Sequence, residues 1–151
     1  MHNTLIAEKM PAHYFFATSR AIILNSGKIL IAKGAESSNG FYILPGGKIE
    51  FWERSKDALS REMAEEMKTK LKAIKYLGVL ENFFGFDEKM YHEYVFIYSA
   101  RFVNRSLYRE RVINVKESSG RRVKFEWISL RDVRSEKYKI LPPGVLKLLI
   151  P

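Results

Sequence analysis

The sequence predicts an α/β fold in which a mixed β-sheet lies between helices. Three observations carry that prediction. The chain opens with β-rich runs, a proline-glycine break leads into one amphipathic helical stretch, and further long strands precede a short apolar tail. The order strands, helix, strands, helix places helices on the faces of a mixed sheet. With 151 residues, the chain has the size of one domain with a real core, read as a single unit over 1–151 with its centre at about 15–134.

The elements follow in order. FFATSRAIILNSGKILIA, from Phe15 to Ala32, is two β-rich runs separated by NSGK, so strands are expected on either side of Asn25 to Lys28. Pro45-Gly46-Gly47 removes a backbone donor and frees two residues for unusual dihedrals, which predicts a loop around 45–54. Ser55 is the expected N-cap of a helix running to about residue 70, with Asp57 in its first turn. KAIKYLGVLENFFGF and MYHEYVFIYSARFV read as two long strands around an FDEK turn, and VKFEWISL as another. LPPGVLKLLI predicts a short helix over about 142–150 with proline in its first turn.

Lysine and arginine total 26 against 17 acids, a net charge of +9, and this excess suits an anionic partner: a nucleotide, a nucleic acid or a lipid headgroup. The absence of cysteine excludes disulfides, zinc-thiolate sites and thiol chemistry. The start has no basic-then-apolar leader, and no apolar run approaches the ~18 residues of a membrane span. A soluble, cytoplasmic protein without a membrane partner is expected.

Against that basic background, Glu62, Glu65 and Glu66 stand together on the predicted helix. At about 100° per residue, with Leu59 at zero, Met63 and Met67 fall at roughly 40° and 80°, and Glu66, Glu62 and Glu65 at roughly −20°, −60° and −120°. The carboxylates therefore border the apolar stripe, where a helix meets its sheet. Like charges half-shielded there are relieved by protonation or by a bound cation. A hard divalent ion takes oxygen ligands, keeps several waters and is completed by substrate phosphates, so a partial carboxylate cage suits a polyphosphate substrate. A solvated acidic face is the competing explanation for the three glutamates alone.

The spacing around them is more specific. Gly47, five residues, Glu53, seven residues, Arg61-Glu62-Met63, one residue, then Glu65-Glu66 resembles the signature of the Nudix hydrolases. The resemblance extends to LPGGKIE before it and FEWISLRDV after it. Two positions depart: the signature ends in glycine and an aliphatic residue, where this chain has Lys68 and Thr69. The departure concerns how the helix ends, because glycine there normally adopts a left-handed cap.

What the resemblance implies is a Nudix-type α/β/α sandwich that hydrolyses a phosphoanhydride in a nucleoside diphosphate linked to another group, with Mg2+ or Mn2+. It implies Glu62 and Glu66 as principal metal ligands, Glu65 directly or through water, and the Gly46 carbonyl as a backbone ligand. Arg61 would pair with Glu53 to orient the loop against the helix. The general base is either a signature glutamate or a carboxylate from a later loop, for which Glu117 in NVKESSGRRV is the candidate. His92-Glu93 interrupts an otherwise apolar-aromatic strand. His92 shares a face with Tyr94 and Phe96, and Glu93 with Val95 and Ile97. One of the two should face the signature helix, and either is a candidate contact to substrate or metal, a polar strand entrance being the competing explanation. ENFFGF, Tyr42 and Trp52 offer surfaces for stacking a base, though aromatic residues at sheet spacing also build cores; Trp127 is assigned to the core. The basic stretch from Arg101 to Lys124 suits steering of a polyphosphate or an RNA backbone, and equally a mobile, solvated loop.

Within the class the substrate stays open: a nucleoside triphosphate, ADP-ribose or another nucleotide sugar, a dinucleoside polyphosphate, or an RNA 5′ end, acted on by a monomer or homodimer. A second reading is a non-catalytic nucleotide- or RNA-binding module on the same scaffold. Such domains usually lose signature carboxylates, whereas all four glutamates and the arginine are kept here. A third, a basic nucleic-acid-binding domain without a metal site, predicts steep salt dependence and indifference to chelators.

Overall fold

The computed structural model describes residues 11–34 and 40–149. Its strands are β1 (Ala12–Ile22), β2 (Leu24–Asn25), β3 (Lys28–Lys33), β4 (Phe41–Ile43), β5 (Gly46–Lys48), β6 (Leu71–Phe86), β7 (Lys89–Phe102), β8 (Val112–Lys116), β9 (Arg122–Ser129) and β10 (Lys139–Leu141). The helices are α1 (Ser55–Glu66) and α2 (Leu130–Arg134), with 3-10 turns at Arg105–Tyr108 and Val145–Leu148. The mixed α/β class expected from the element order is what is found. The strands form two sheets, one ordered β5-β1-β7-β6 and the other β10-β4-β3-β9-β8 with β2 on β3. Among the described residues no helix is long and apolar enough to cross a membrane.

The two sheets arise because the first β-rich run changes partner partway. β1 lies parallel to β7 from Ala12↔Lys89 to Ile22↔Ser99, while the residues just beyond it turn back onto β3 through Leu24↔Ile29. Ser26 and Gly27, both at positive φ, make that turn, so the expected strands on either side of NSGK do form. The first of them, however, belongs mainly to the other sheet. Alternation along β1 then serves two cores. Ala21 packs with Leu59, Met63 and Tyr98 beneath α1. Ile22 packs with Val95, Ile97, Val133 and Val145 on the side of α2 and the chain end. Arg20 shares the second face and Ser19 the first, because successive side chains point oppositely.

Several expected boundaries move. The loop around 45–54 contains strand β5, antiparallel to β1 through Arg20↔Gly46. Gly46 sits at φ +140 and a Cβ there would lie 2.0 Å from the Ser19 carbonyl oxygen, so the close approach of the two strands requires glycine. Arg54, not Ser55, is the N-cap of α1 and has no side-chain cap bond; the Ser55 hydroxyl is taken by the Tyr98 hydroxyl across the core. The basic stretch 101–124 is structured, not a mobile loop: it holds a 3-10 turn, β8 and the start of β9. At the chain end, the helix expected over 142–150 is reduced to the 3-10 turn at Val145–Leu148, entered from Gly144 at φ +98 rather than from proline.

The helix itself stops at Glu66, short of residue 70. The Met67 amide still donates to the Met63 carbonyl at 3.0 Å, and Lys68 then takes φ +52, the left-handed position where the family pattern has glycine. The Lys68 ammonium donates to the Glu65 carbonyl at 2.6 Å, which satisfies one of the exposed last-turn oxygens. The departure at Lys68 therefore leaves the glycine-like exit intact, with a side chain carrying left-handed backbone strain of about 1–2 kcal/mol. Lys68→Gly removes that strain but adds about 0.4–1 kcal/mol of unfolded-chain entropy and loses the Lys68–Glu65 bond. The expected net is a stabilisation of about 0.5 kcal/mol in urea unfolding, and a clear destabilisation would disprove a strained exit.

Candidate active site

One guanidinium joins the glycine loop to the helix. Arg61 Nε donates to Glu53 Oε2 at 2.8 Å and its Nη2 to Glu53 Oε1 at 3.0 Å. The same Nη2 donates to the Lys48 carbonyl at 3.0 Å, while Nη1 reaches Glu62 Oε1 at 3.0 Å and Glu65 Oε2 at 3.3 Å. Bidentate pairing of this kind fixes orientation as well as adding energy. The Arg61 hydrogen bonds, chiefly, hold the Glu53 carboxyl below its ordinary range, and Glu53 in turn raises the Arg61 guanidinium. The loop acid, the strand carbonyl and the helix are thereby set at one geometry.

The expected arc of three glutamates divides. Glu65 is 57 % exposed at its side chain and leans toward Arg61, whereas Glu62 is only 13 % exposed. Glu62 lies over Gly47, where a Cβ would come within 2.3 Å of the Glu62 carboxyl carbon. Only a residue without a side chain lets the strand pass so close. Glu66, half-buried, shares a hydrogen bond with Glu62 and is pushed up to about 8. Burial is the main cause, followed by the bond to Glu62 and the negative charges of Glu62 and Glu117, with Arg20 acting in the opposite sense. Two carboxylates in contact need a proton or a cation between them.

The donor set fits a hard divalent ion. Glu62 and Glu66 offer oxygens at a point where charge is unmet, and the Gly46 carbonyl, 3.0 Å from Arg20 Nη1, lies in the strand beside them. Among the described residues no three acidic or imidazole side chains close into a finished cage. The arrangement is a partial one, of the sort completed by water and phosphate oxygens. Glu117 is at the tip of the β8–β9 hairpin, where its amide donates to the Arg121 carbonyl at 2.8 Å, and its charge is felt at Glu66.

A cleft of about 630 Å³ opens beside this cluster, lined in part by Phe16, Arg20, Asn82, Phe84, Glu93 and Arg121. Glu93 is 7 % exposed and accepts from Thr18 Oγ1 at 2.6 Å and from Asn82 Nδ2 at 3.2 Å. His92, one residue away on a regular strand, points to the opposite face, where it meets Glu81 at 3.0 Å and stacks on Phe83. Of the two candidate contacts, strand alternation places Glu93 in the cleft wall and His92 on the other face. His92 is the one that shares the sheet face packed by α1. Phe84 and Phe86 of ENFFGF line the cleft. Tyr42 instead packs on Tyr138, and Trp52, 92 % exposed, lies against Phe51 outside it. Trp127 stacks on Tyr108 at the edge of the first core, as assigned.

Sequence reasoning missed Arg20, Thr18, Phe16 and Asn82. The available signal was TSRAII, in which a cation and a hydroxyl occupy the same face of an otherwise apolar strand.

A family model described as the NUDIX domain matches residues 15–148. Among solved structures, a NUDIX hydrolase from Nitrosomonas europaea aligns with TM-score 0.59 at 18% identity, covering 90% of this chain and 86% of that one. A MutT protein from Bacillus halodurans aligns with TM-score 0.54 at 18% identity, over 89% of this chain and 78% of that one. A UDP-X diphosphatase aligns with TM-score 0.57 at 18% identity, over 90% of this chain but 61% of its own length. At these identities the structural likeness concerns the fold.

The carboxylate pair makes stability depend on pH in a defined direction. The folded-state value of Glu66, about 8, lies above the ordinary 4.5, so the folded protein holds this proton more tightly than the unfolded chain. The cation-free protein is expected to lose stability as pH rises from about 4.5 to about 8, and to level off above. Glu53 is shifted the other way, and its contribution is lost only as pH falls below that window. Melting temperatures of wild type minus Glu66→Gln, measured with chelator across pH 4.5–8.5, should show the decline in wild type alone; parallel curves would contradict it.

Proposed function

The chain belongs to the NUDIX domain family, and from that premise we propose that this pyrophosphohydrolase cleaves a phosphoanhydride bond in a nucleoside diphosphate linked to a further group, using Mg2+ or Mn2+ at the Glu62–Glu66 pair. The observation that carries the reading is the acid-bearing face of α1, with Glu62 packed over Gly47 and fixed by Arg61 to the Glu53 loop, next to a strand whose Arg20 lines a cleft of nucleotide size.

In this reading Glu62, Glu66 and the Gly46 carbonyl hold the cation, and Glu65 reaches it through water. Arg61 and Glu53 keep the loop and helix in register. When bound, the cation neutralises phosphate oxygens and makes water more acidic. The chain's own residues do the rest. Glu117, beside Glu66, accepts the proton of the attacking water as its oxygen bonds to phosphorus, and the bridging P–O bond breaks with its electron pair leaving on the second phosphate. The aromatic walls around Phe16 and Phe84 receive the nucleoside, and Glu93, held by Thr18 and Asn82, presents a polar group to it.

The substrate is a nucleoside triphosphate, a nucleotide sugar or ADP-ribose, a dinucleoside polyphosphate or an RNA 5′ end, and the net charge of +9 favours the more highly phosphorylated of these. One of the similar structures is named a UDP-X diphosphatase, a name that suits a nucleotide-linked pyrophosphate. A cytoplasmic setting suits such substrates.

The test is phosphate or pyrophosphate release from a panel of these compounds with Mg2+ or Mn2+. Glu62→Gln and Glu66→Gln are each expected to lose several orders of magnitude in turnover while melting at or slightly above the wild-type temperature. Added chelator should abolish turnover by wild type. Ligand-induced stabilisation without turnover of any compound would favour a binding module instead, and wild-type rates in both variants would remove the glutamates from the site.

A further inference from the structure

We propose that Arg20 couples the cation to the substrate: its guanidinium occupies the Gly46 carbonyl and weakens cation binding until a phosphate group in the cleft neutralises it. The inference rests on the reading of the site given above, and goes beyond it in assigning a role to a residue outside the signature.

The geometry is specific. Arg20 Nη1 donates to the Leu44 carbonyl at 3.1 Å and to the Gly46 carbonyl at 3.0 Å, so a single nitrogen anchors the group. Nε and Nη2 have no acceptor among the described residues, and the side chain lines the cleft. A guanidinium in this position presents a free donor edge that matches phosphate oxygens. Its register partner across the strands is Gly46 itself, so the side chain cannot leave the carbonyl without turning away from β5.

Charge gives the sign of the coupling. Arg20 Nη1 sits 3.0 Å from the Gly46 carbonyl oxygen, the backbone ligand in the reading above. A positive group already bonded to that carbonyl repels a second positive group at that place. A phosphate bound to the free edge cancels the repulsion, and by reciprocity a bound cation tightens phosphate binding by the same factor. Arg121 also lines the cleft but has no bond to a cation-ligand candidate, and so adds phosphate affinity without this link.

The discriminating experiment is calorimetric titration with Mn2+ alone, with a methylene-bridged nucleoside diphosphate analogue alone, and with Mn2+ in saturating analogue, for wild type, Arg20→Gln and Arg20→Lys. Arg20→Gln should bind Mn2+ alone about five- to tenfold more tightly. It should bind the analogue alone about tenfold more weakly, and the gain in Mn2+ affinity caused by the analogue should shrink. Arg20→Lys keeps the charge and should resemble wild type toward Mn2+ while losing part of the analogue affinity. If Arg20 only braces the turn, Arg20→Gln would bind Mn2+ more weakly with melting temperature reduced, and the proposal fails. Failure of wild type to bind Mn2+ at all would instead overturn the reading of the site.

Discussion

Two carboxylates in contact, Glu62 and Glu66, are the constraint around which this domain is arranged. Left to solvent they would separate, because like charges at short range repel and each gains more from water than from its neighbour. They are held by being on one helix whose Leu59 and Met63 are fully buried, and by a strand running so close beneath that only Gly47 fits under Glu62. The fold thus keeps two acids close together at one place in a protein with a large positive excess, one paired with Arg61 and the other with its ionisation opposed.

The stored charge has to be aimed as well as held, and Arg61 does the aiming. Its guanidinium meets Glu53, Lys48 and Glu62 at once, so a shift of loop or helix costs several charge-assisted bonds together. Glu65, the more exposed of the three, is held on the outer side by the same group. The face of β1 opposite the α1 core carries Phe16 and Arg20 into a cleft, with Thr18 bonded to Glu93 in its wall. The second sheet brings Arg121 to it from the β8–β9 hairpin, whose Glu117 adds negative charge at Glu66. Three elements distant in sequence therefore converge on one point, and the crossing of the first β-rich run between sheets is what lets them do so.

Much of this was legible in the residues. The helix period placed the carboxylates beside the apolar stripe, and the resemblance of the Gly47-to-Glu66 spacing to the Nudix signature implied the Arg61–Glu53 pair that the structure contains. Strand alternation at His92-Glu93 made plain that the two point apart, but not which one lines a cleft, since that depends on which layer covers each face. Boundaries were less readable. Gly46–Lys48 looks like a turn by composition yet pairs with β1, because tertiary pairing overrides local preference. Lys68 looked like a break in the pattern and instead takes the left-handed conformation itself. Arg20 was unreadable alone: one cation on a strand is unremarkable until the partner strand places a carbonyl beside it.

On this account the proton that burial and the neighbouring carboxylates hold on Glu66 gives way when a divalent cation binds. Proton release is the direct measure, obtained by titrating Mn2+ calorimetrically at pH 7 in buffers of different ionisation enthalpy. With Glu66 pushed up to about 8, binding should release close to one proton per cation, and Glu66→Gln should release almost none. Tight binding of Mn2+ by wild type with no proton released would show that the cation sits elsewhere and contradict the account.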